Sequence, residues 1–443
     1  MSIQKWCRAA ALLTAATLLM GCSQTAQNTT PPKDALFCKS VSDNVQTVAQ
    51  LHVTPEPSKQ PTASRTICNY AKQTAMWFPV MDYSNTLTNQ SEAEFTASMR
   101  AEFQNAANMG INTVYVHVRA YQDAYYRSKL FPLGSYCSDS CTYDPLAIMT
   151  DLAHEQNLSI HAWINPLRGQ TDEEMQQMEN SYLLKQWYLD DTKRGTYLVQ
   201  VQNRWWLNPC YEEVRQLIAD GAAEILTQYP VDGLHIDDYF YPTTDPSFDA
   251  AAFAASGSSD QTAWRLEQCS QLVQTLYDTV KNVHPDLLFG ISPQGTIEGN
   301  LQHQFADVRR WSQEPGFCDY IVPQLYYGFQ NESAPFSEMV TEWKQLVTCP
   351  DVSLVIGICT YKMGKEDTWA GSGSTEWQQD LTIPARQINL TCSDPELGGL
   401  AIYDYPSTFR PEAEVAAAMA TQVQSITAVL QQEKESSHLR TPS

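Results

Sequence analysis

The chain predicts an α/β fold: a closed (β/α)8 barrel of TIM type, with loop insertions after its third and fourth strands. Three features carry this. Eight short apolar runs recur from Ala75 onward, a helical pattern follows each, and several runs alternate so that polar side chains share one face. Strands alternating with helices require parallel pairing, and eight such units close into a barrel.

The first run is Ala75–Tyr83. Ser91 and Glu94 then form a capping box that opens a helix, and Gly110 closes it. The second run, Ile111–Val118, places Val114, Val116 and Val118 on one face, with Tyr115, His117 and Arg119 opposite. Asp144 and Asn208 each precede a proline, which predicts helix caps at both positions. The third run, Leu158–Asn165, leaves His161, Trp163 and Asn165 on the face away from Ile160, Ala162 and Ile164. About 65 residues then intervene, and within them Thr196–Trp206 alternates like an added β-hairpin. The fourth run, Val231–Asp238, points Leu234 and Ile236 one way and His235 and Asp237 the other. A long turn-rich segment, Phe240–Asp260, follows, then a helix over Gln261–Val283. The remaining runs are Leu287–Pro293, Tyr320–Tyr327, Ser353–Tyr361 and Gly398–Tyr405, before an alanine-rich helix over Pro411–Gln432. In the sixth run Gln324 and Tyr326 face away from Ile321 and Leu325. Loops that follow barrel strands carry function, so both insertions are expected to wall a cleft.

The chain has 443 residues, 43% of them hydrophobic and 11% aromatic, which is a globular composition. A net charge of −22 argues against a nucleic-acid partner, because phosphate contacts need a basic surface. Lys5 and Arg8 precede an apolar run, Ala9–Met20, too short to span a bilayer. It ends in Leu-Met-Gly-Cys and resembles a bacterial lipoprotein signal, in which Cys22 is lipidated; Met20 departs from the small residue usual there. The expected layout is a signal peptide over 1–22, a Ser/Thr/Gln/Pro-rich tether over 23–70, the barrel over 71–434 and a polar tail over 435–443. The protein is then exported and anchored on the extracytoplasmic side of the membrane. Ten cysteines remain beyond the signal, a number compatible with disulfides, and Cys137 with Cys141 is the leading pair.

Parity gathers polar groups from four strands at one place, the C-terminal mouth. Asp237 is the first carboxylate candidate there, since burying it unpaired is costly. Asp238, at the strand end, and Asp123, just past the second strand, are the candidates to pair with it; Asp404 sits on the apolar parity of Leu400 and Ile402 and is weaker. Two carboxylates are what glycoside hydrolysis ordinarily requires. Metal-hydrolase histidine pairs, a Gly-x-Ser-x-Gly elbow and phosphate-binding glycine motifs are missing from the sequence.

Several segments together resemble the glycosyl-hydrolase-like family 10 of bacterial exported lipoproteins. They are Tyr115–Tyr126, His161–Arg168, Trp206–Pro209, Asp232–Pro242, Gly290–Pro293 and Pro323–Tyr326, within a span of roughly Thr74–Val423. The resemblance implies a TIM-barrel fold and action on carbohydrate, with cell-wall glycan strands stripped of peptide as the substrate class. The family's second strand usually has Gln and Pro where this chain has His117 and Ala120, so contacts there are expected to differ. The resulting expectation is a monomeric glycoside hydrolase without cofactor or metal. Asp237, Asp238 and Asp123 are its catalytic candidates. Arg119, His117, His161, Asn165, Asn208, His235, Gln324 and Tyr326 are its sugar-binding candidates. The competing expectations are a carbohydrate-binding surface lipoprotein without activity, or a hydrolase of dietary or host polysaccharide.

Overall fold

The computed structural model describes residues 66–137 and 141–436. The expected signal peptide with Cys22, most of the expected tether and the last tail residues lie outside the described residues. Eleven strands form among them: β1 (Gln73–Phe78), β2 (Thr113–Arg119), β3 (Ser159–Ile164), β4 (Arg168–Thr171), β5 (Leu198–Val201), β6 (Arg204–Leu207), β7 (Gly233–Ile236), β8 (Leu288–Ile291), β9 (Tyr320–Ile321), β10 (Ser353–Cys359) and β11 (Gly399–Tyr403). Eight close into a barrel in the order β1-β11-β10-β9-β8-β7-β3-β2. Every neighbouring pair is parallel. All eight expected runs are therefore barrel strands, though β9 shrinks to two residues and leaves Gln324 and Tyr326 beyond it.

The outward parity of each strand packs beneath the helices. Val114, Val116, Val118, Ile160, Ile164, Leu234 and Ile236 all belong to that main core. The inward parity fills the barrel with large rings, including Trp77, Tyr115, Trp163 and Tyr320. Gly290 is needed for this filling: a Cβ there would lie 1.9 Å from the Tyr320 ring.

Local signals set the helix ends. The Ser91–Glu94 capping box opens the Glu92–Met109 helix, and Gly110 closes it at φ 107°, where a side chain would be strained. Asp144 caps the Pro145–Glu155 helix as its sequence implies. Asn208 does not cap a helix; its Oδ1 accepts from the Cys210 N–H at 3.2 Å, and the next helix starts later, at Glu212. The side chain satisfies the local turn first, which pushes the helix start downstream.

The insertion after β3 contains the expected hairpin, β5 against β6, with β4 added on its other edge. After β7, the Ala250–Ser256 helix is tied to the long Gln261–Val283 helix by a buried Asp249–Arg265 ion pair. Residues 68–70, placed with the tether on composition, are held to the barrel's underside. Cys68 N donates to Asp232 Oδ1 at 2.7 Å, and the Asn69 amide bonds the carbonyls of Asp232 and Asp286. No disulfide forms among the described residues. Cys137 and Cys141 are neighbouring free thiols, with Cys141 turned to the Tyr143 carbonyl.

Candidate functional site

The C-terminal mouth of the barrel holds a cleft of about 450 Å³. Trp77 and Trp163, the last inward rings of β1 and β3, form its floor, with His117 beside them. Tyr121, Arg168 and Tyr239 make one wall, and Tyr326, Tyr361 and Tyr403 the other. The aromatic rings brace one another: Trp77 meets Tyr403 at 5.9 Å, and Tyr403 meets Tyr326 at 5.6 Å. A larger cavity, about 710 Å³, opens at the opposite end of the strands around Ser353 and Gly398, away from the carboxylates.

Asp237 and Asp238 both line the cleft because β7 ends at Ile236 and the chain beyond it is free to turn. Asp237 is 3% exposed; its Oδ2 accepts from Trp163 Nε1 at 3.0 Å and its Oδ1 from the Tyr239 N–H at 3.2 Å. Burial, and then the Asp238 charge, push its carboxyl well above the usual range, against these donors and the Arg168 charge. Asp238 is half-buried and is also raised by burial, opposed by Gln324, whose Nε2 donates to Oδ1 at 3.2 Å. Two neighbouring carboxyls in one apolar-walled cleft cannot both ionise freely, so the more deeply buried Asp237 keeps its proton longest.

The sequence profile of glycosyl hydrolase-like 10 matches residues 79–371. The chain belongs to the glycosyl hydrolase-like 10 family. It is 26% identical over 436 residues to glycosyl hydrolase DigH of Escherichia coli K12, spanning 92% of this chain and 95% of that one. It is 30% identical over 310 residues to glycosyl hydrolase YngK of Bacillus subtilis, spanning 64% of this chain and 59% of that one. Among solved structures, the PgaB (BpsB) glycoside hydrolase domain from Bordetella bronchiseptica superimposes with a TM-score of 0.53 at 12% identity, over 79% of this chain and 98% of that one. Alpha-L-fucosidase isoenzyme 2 from Paenibacillus thiaminolyticus gives 0.53 at 10% identity, over 82% and 50%. At such identities the likeness is one of fold.

Within this glycosyl hydrolase-like 10 barrel, four of the expected polar groups reach the cleft besides Asp237: Asp238, His117, Gln324 and Tyr326. His117 stacks on Trp163 at 3.7 Å and 11°, and burial with the Arg168 charge pushes its pKa down to about 3. Other expected groups go elsewhere. Arg119 points out of the barrel, over Phe131 at 4.6 Å and against the Glu212–Gln228 helix, with an Nη2 contact to Ile218 O at 3.4 Å. The cause is a bulge: His117 pairs with Trp163, yet Arg119 pairs with Ile164, so parity flips between them. Asp123 is buried and accepts from the N–H groups of Ala120 and Tyr121 at 3.0 and 2.9 Å, shaping its loop rather than the cleft. Asp404 caps the Tyr405–Phe409 helix through Ser407. Asn208 spans the hairpin, donating to Thr196 O. Asn165 is fully buried beneath the cleft, with its side chain beside His117 and its backbone carbonyl accepting from Gln122 at 2.9 Å.

His161 and His235 lie deeper, in a sealed hydrogen-bond chain below the cleft. Trp77 Nε1 donates to His235 Nε2 at 3.1 Å, and His235 Nδ1 meets the Tyr320 hydroxyl at 3.1 Å. That hydroxyl meets His161 Nδ1 at 2.6 Å, and His161 Nε2 meets Asn69 Oδ1 at 3.0 Å. Burial holds both imidazoles neutral. An indole N–H only donates, so His235 carries its proton on Nδ1, and the directions follow to Asn69.

Sequence parity found Tyr326 but missed Tyr361 and Tyr403 on the same wall, and Arg168, Tyr121 and Tyr239 opposite. Tyr361 and Tyr403 sit at or past the ends of β10 and β11, and Tyr121, Arg168 and Tyr239 lie in or after turns, where parity has no force. The usable signal for Arg168 was its place directly after a barrel strand, in the Asn165–Arg168 turn. Of the two insertions, the first supplies a wall through Arg168; residues 240–260 are absent from the cleft lining.

Proposed function

We propose that the protein is an exported glycoside hydrolase that cleaves peptide-free cell-wall glycan strands, with Asp237 as proton donor and Asp238 as its partner carboxylate. The observation that carries this is the joint placement of the two consecutive carboxyls at the cleft, Asp237 holding its proton through burial and the charge beside it. A glycosidic oxygen seated there takes the Asp237 proton as the bond to the anomeric carbon breaks. Ionised Asp238 stabilises the positive charge that develops on the ring; water then adds to the anomeric carbon and its proton returns to Asp237. The ring-lined walls offer flat apolar faces to the sugar, and Gln324 keeps Asp238 oriented. The wall-strand substrate is supported by the motif resemblance, and export with membrane anchoring by the signal ending at Cys22.

The test is release of new reducing ends from purified peptide-free strands. Asp237→Asn and Asp238→Asn are each expected to lower the rate by about 10²-fold or more. Unchanged release by Asp237→Asn removes it from the chemistry. Tight binding with no release by the wild type would make the protein a carbohydrate-binding lipoprotein, and release only from dietary or host polysaccharides would replace the substrate. Cys22→Ser should free the protein from the membrane fraction.

A further inference from the structure

Arg168 is the one cationic side chain among the described residues that line the cleft, in a chain of net charge −22. Its guanidinium is held by aromatic faces, 4.6 Å from the Tyr121 ring centre and 4.2 Å from that of Tyr239. Among the described residues no carboxylate lies within ion-pair distance of it, and its Nε is buried without a partner. Arg265 and Arg410 are filled by carboxylates. Arg265 bonds both oxygens of Asp249, at 2.8 and 2.7 Å, and Arg410 bonds Asp82 and Glu102. Arg168 acts on Asp237 through its charge alone, and its planar donor fork makes no hydrogen bond to a carboxylate among the described residues.

The surroundings favour an anion there. Arg204 also lies over Tyr121, at 4.2 Å, and adds positive charge behind it. His117, 3% exposed and on the same cleft, is held neutral by burial and has only the Asn165 amide beside its ring, so it adds a neutral polar group next to the fork. The backbone that carries Arg168 is fixed: Gln122 Nε2 donates to the carbonyls of Asn165, Pro166 and Arg168 at 2.9, 2.8 and 3.4 Å.

We propose that Arg168 is a specificity-determining residue that reads a carboxylate carried by the bound sugar. On a wall strand, which rests on the function proposed above, that group is the lactyl carboxylate of the muramic acid unit. While a stem peptide is attached, this carboxylate is consumed in an amide and carries no charge. Removing the peptide frees it, and a guanidinium fork matches it in shape and charge. Preference for stripped strands is thereby built into the cleft.

Equilibrium binding decides this without requiring turnover. The purified protein is titrated with peptide-free strands, with the same strands after conversion of their carboxylates to methylamides, and with oligogalacturonate. The wild type should bind the free acid about ten-fold more tightly than the methylamide, the value of one charged hydrogen-bonded contact. The preference should fade as salt rises. Arg168→Gln should bring the ratio close to one, and Arg168→Lys should restore only part of it. Equal wild-type affinity for acid and methylamide overturns the proposal, and needs no variant to fold. So does an Arg168→Gln that weakens both ligands by one factor, because a residue that only packs the wall or tunes Asp237 acts alike on each. Tighter binding of oligogalacturonate than of wall strands upholds the carboxylate role and overturns the wall-strand source. A ten-fold preference with no hydrolysis upholds the role and defeats the enzyme reading.

Discussion

Tyr320→Phe should destabilise the barrel far more than the loss of one oxygen implies. The hydroxyl accepts the His235 Nδ1 proton at 3.1 Å and donates to His161 Nδ1 at 2.6 Å, in a site with no solvent exposure. Deleting it orphans one donor and one acceptor at once. Each buried unsatisfied group costs about 1–3 kcal/mol, so the expected loss for two is about 2–6 kcal/mol. His235 cannot escape by moving its proton to Nε2, because that nitrogen faces the Trp77 N–H at 3.1 Å. The comparison is Tyr115→Phe, whose hydroxyl donates to Gln73 Oε1 at 2.5 Å and meets the Tyr320 hydroxyl; Tyr320 keeps both histidine partners there, so the loss should be roughly half as large. Chemical denaturation followed by tryptophan fluorescence reads both variants. A Tyr320→Phe loss within about 0.5 kcal/mol of zero would show that the two nitrogens have other partners, and the directed chain would be wrong.

Asp237→Asn should lose the wild type's fall in stability with rising pH, as well as activity. The folded pKa lies above the unfolded value near 3.9, so wild-type stability falls as pH rises from that value through the folded pKa, and the amide removes this fall; denaturation at pH 5 and pH 8 reads it. Trp163→Phe keeps a ring under His117 but deletes the N–H that favours ionised Asp237, so the acid's pKa climbs and the alkaline limb of the pH–rate profile moves to higher pH. Gly221→Ala should lose about 1–3 kcal/mol by overpacking despite alanine's better helix propensity, since its Cβ would lie 2.0 Å from Arg119 Nη1 and 2.5 Å from Phe131; an unchanged denaturation midpoint would contradict the outward course of Arg119.

Much of this was legible in the chain because a strand's two-residue period is a hard geometric rule. Leu234 and Ile236 do pack outward, and His235 and Asp237 do point in. The rule breaks where the ladder breaks. A bulge after His117 turns Arg119 into the helix layer, and nothing in Val-His-Val-Arg announces it. Asp123 reads as a spare carboxylate by position, yet two backbone N–H groups claim it. Arg168, Tyr121 and Tyr239 come together from separate loops, and their meeting depends on tertiary packing that periodicity does not encode.

Inward polarity alone therefore does not separate scaffold from site; the distance to the end of the ladder does. His161 and His235 sit within paired register, and each ring nitrogen is taken by another buried group. His117 is the last paired residue before the bulge, and its ring lines the cleft with only the Asn165 amide beside it. Asp237, Asp238 and Gln324 lie past the final residues of β7 and β9, where the chain can aim them at the cleft. Inside the ladder, water is excluded and an unpaired polar group is too costly to keep, so the network must close on itself. Beyond it, the cleft supplies solvent or sugar as the missing partner, and an open valence becomes affordable. The polar layer under Trp77 then positions the cleft floor, and the groups above it are the ones free to meet a substrate.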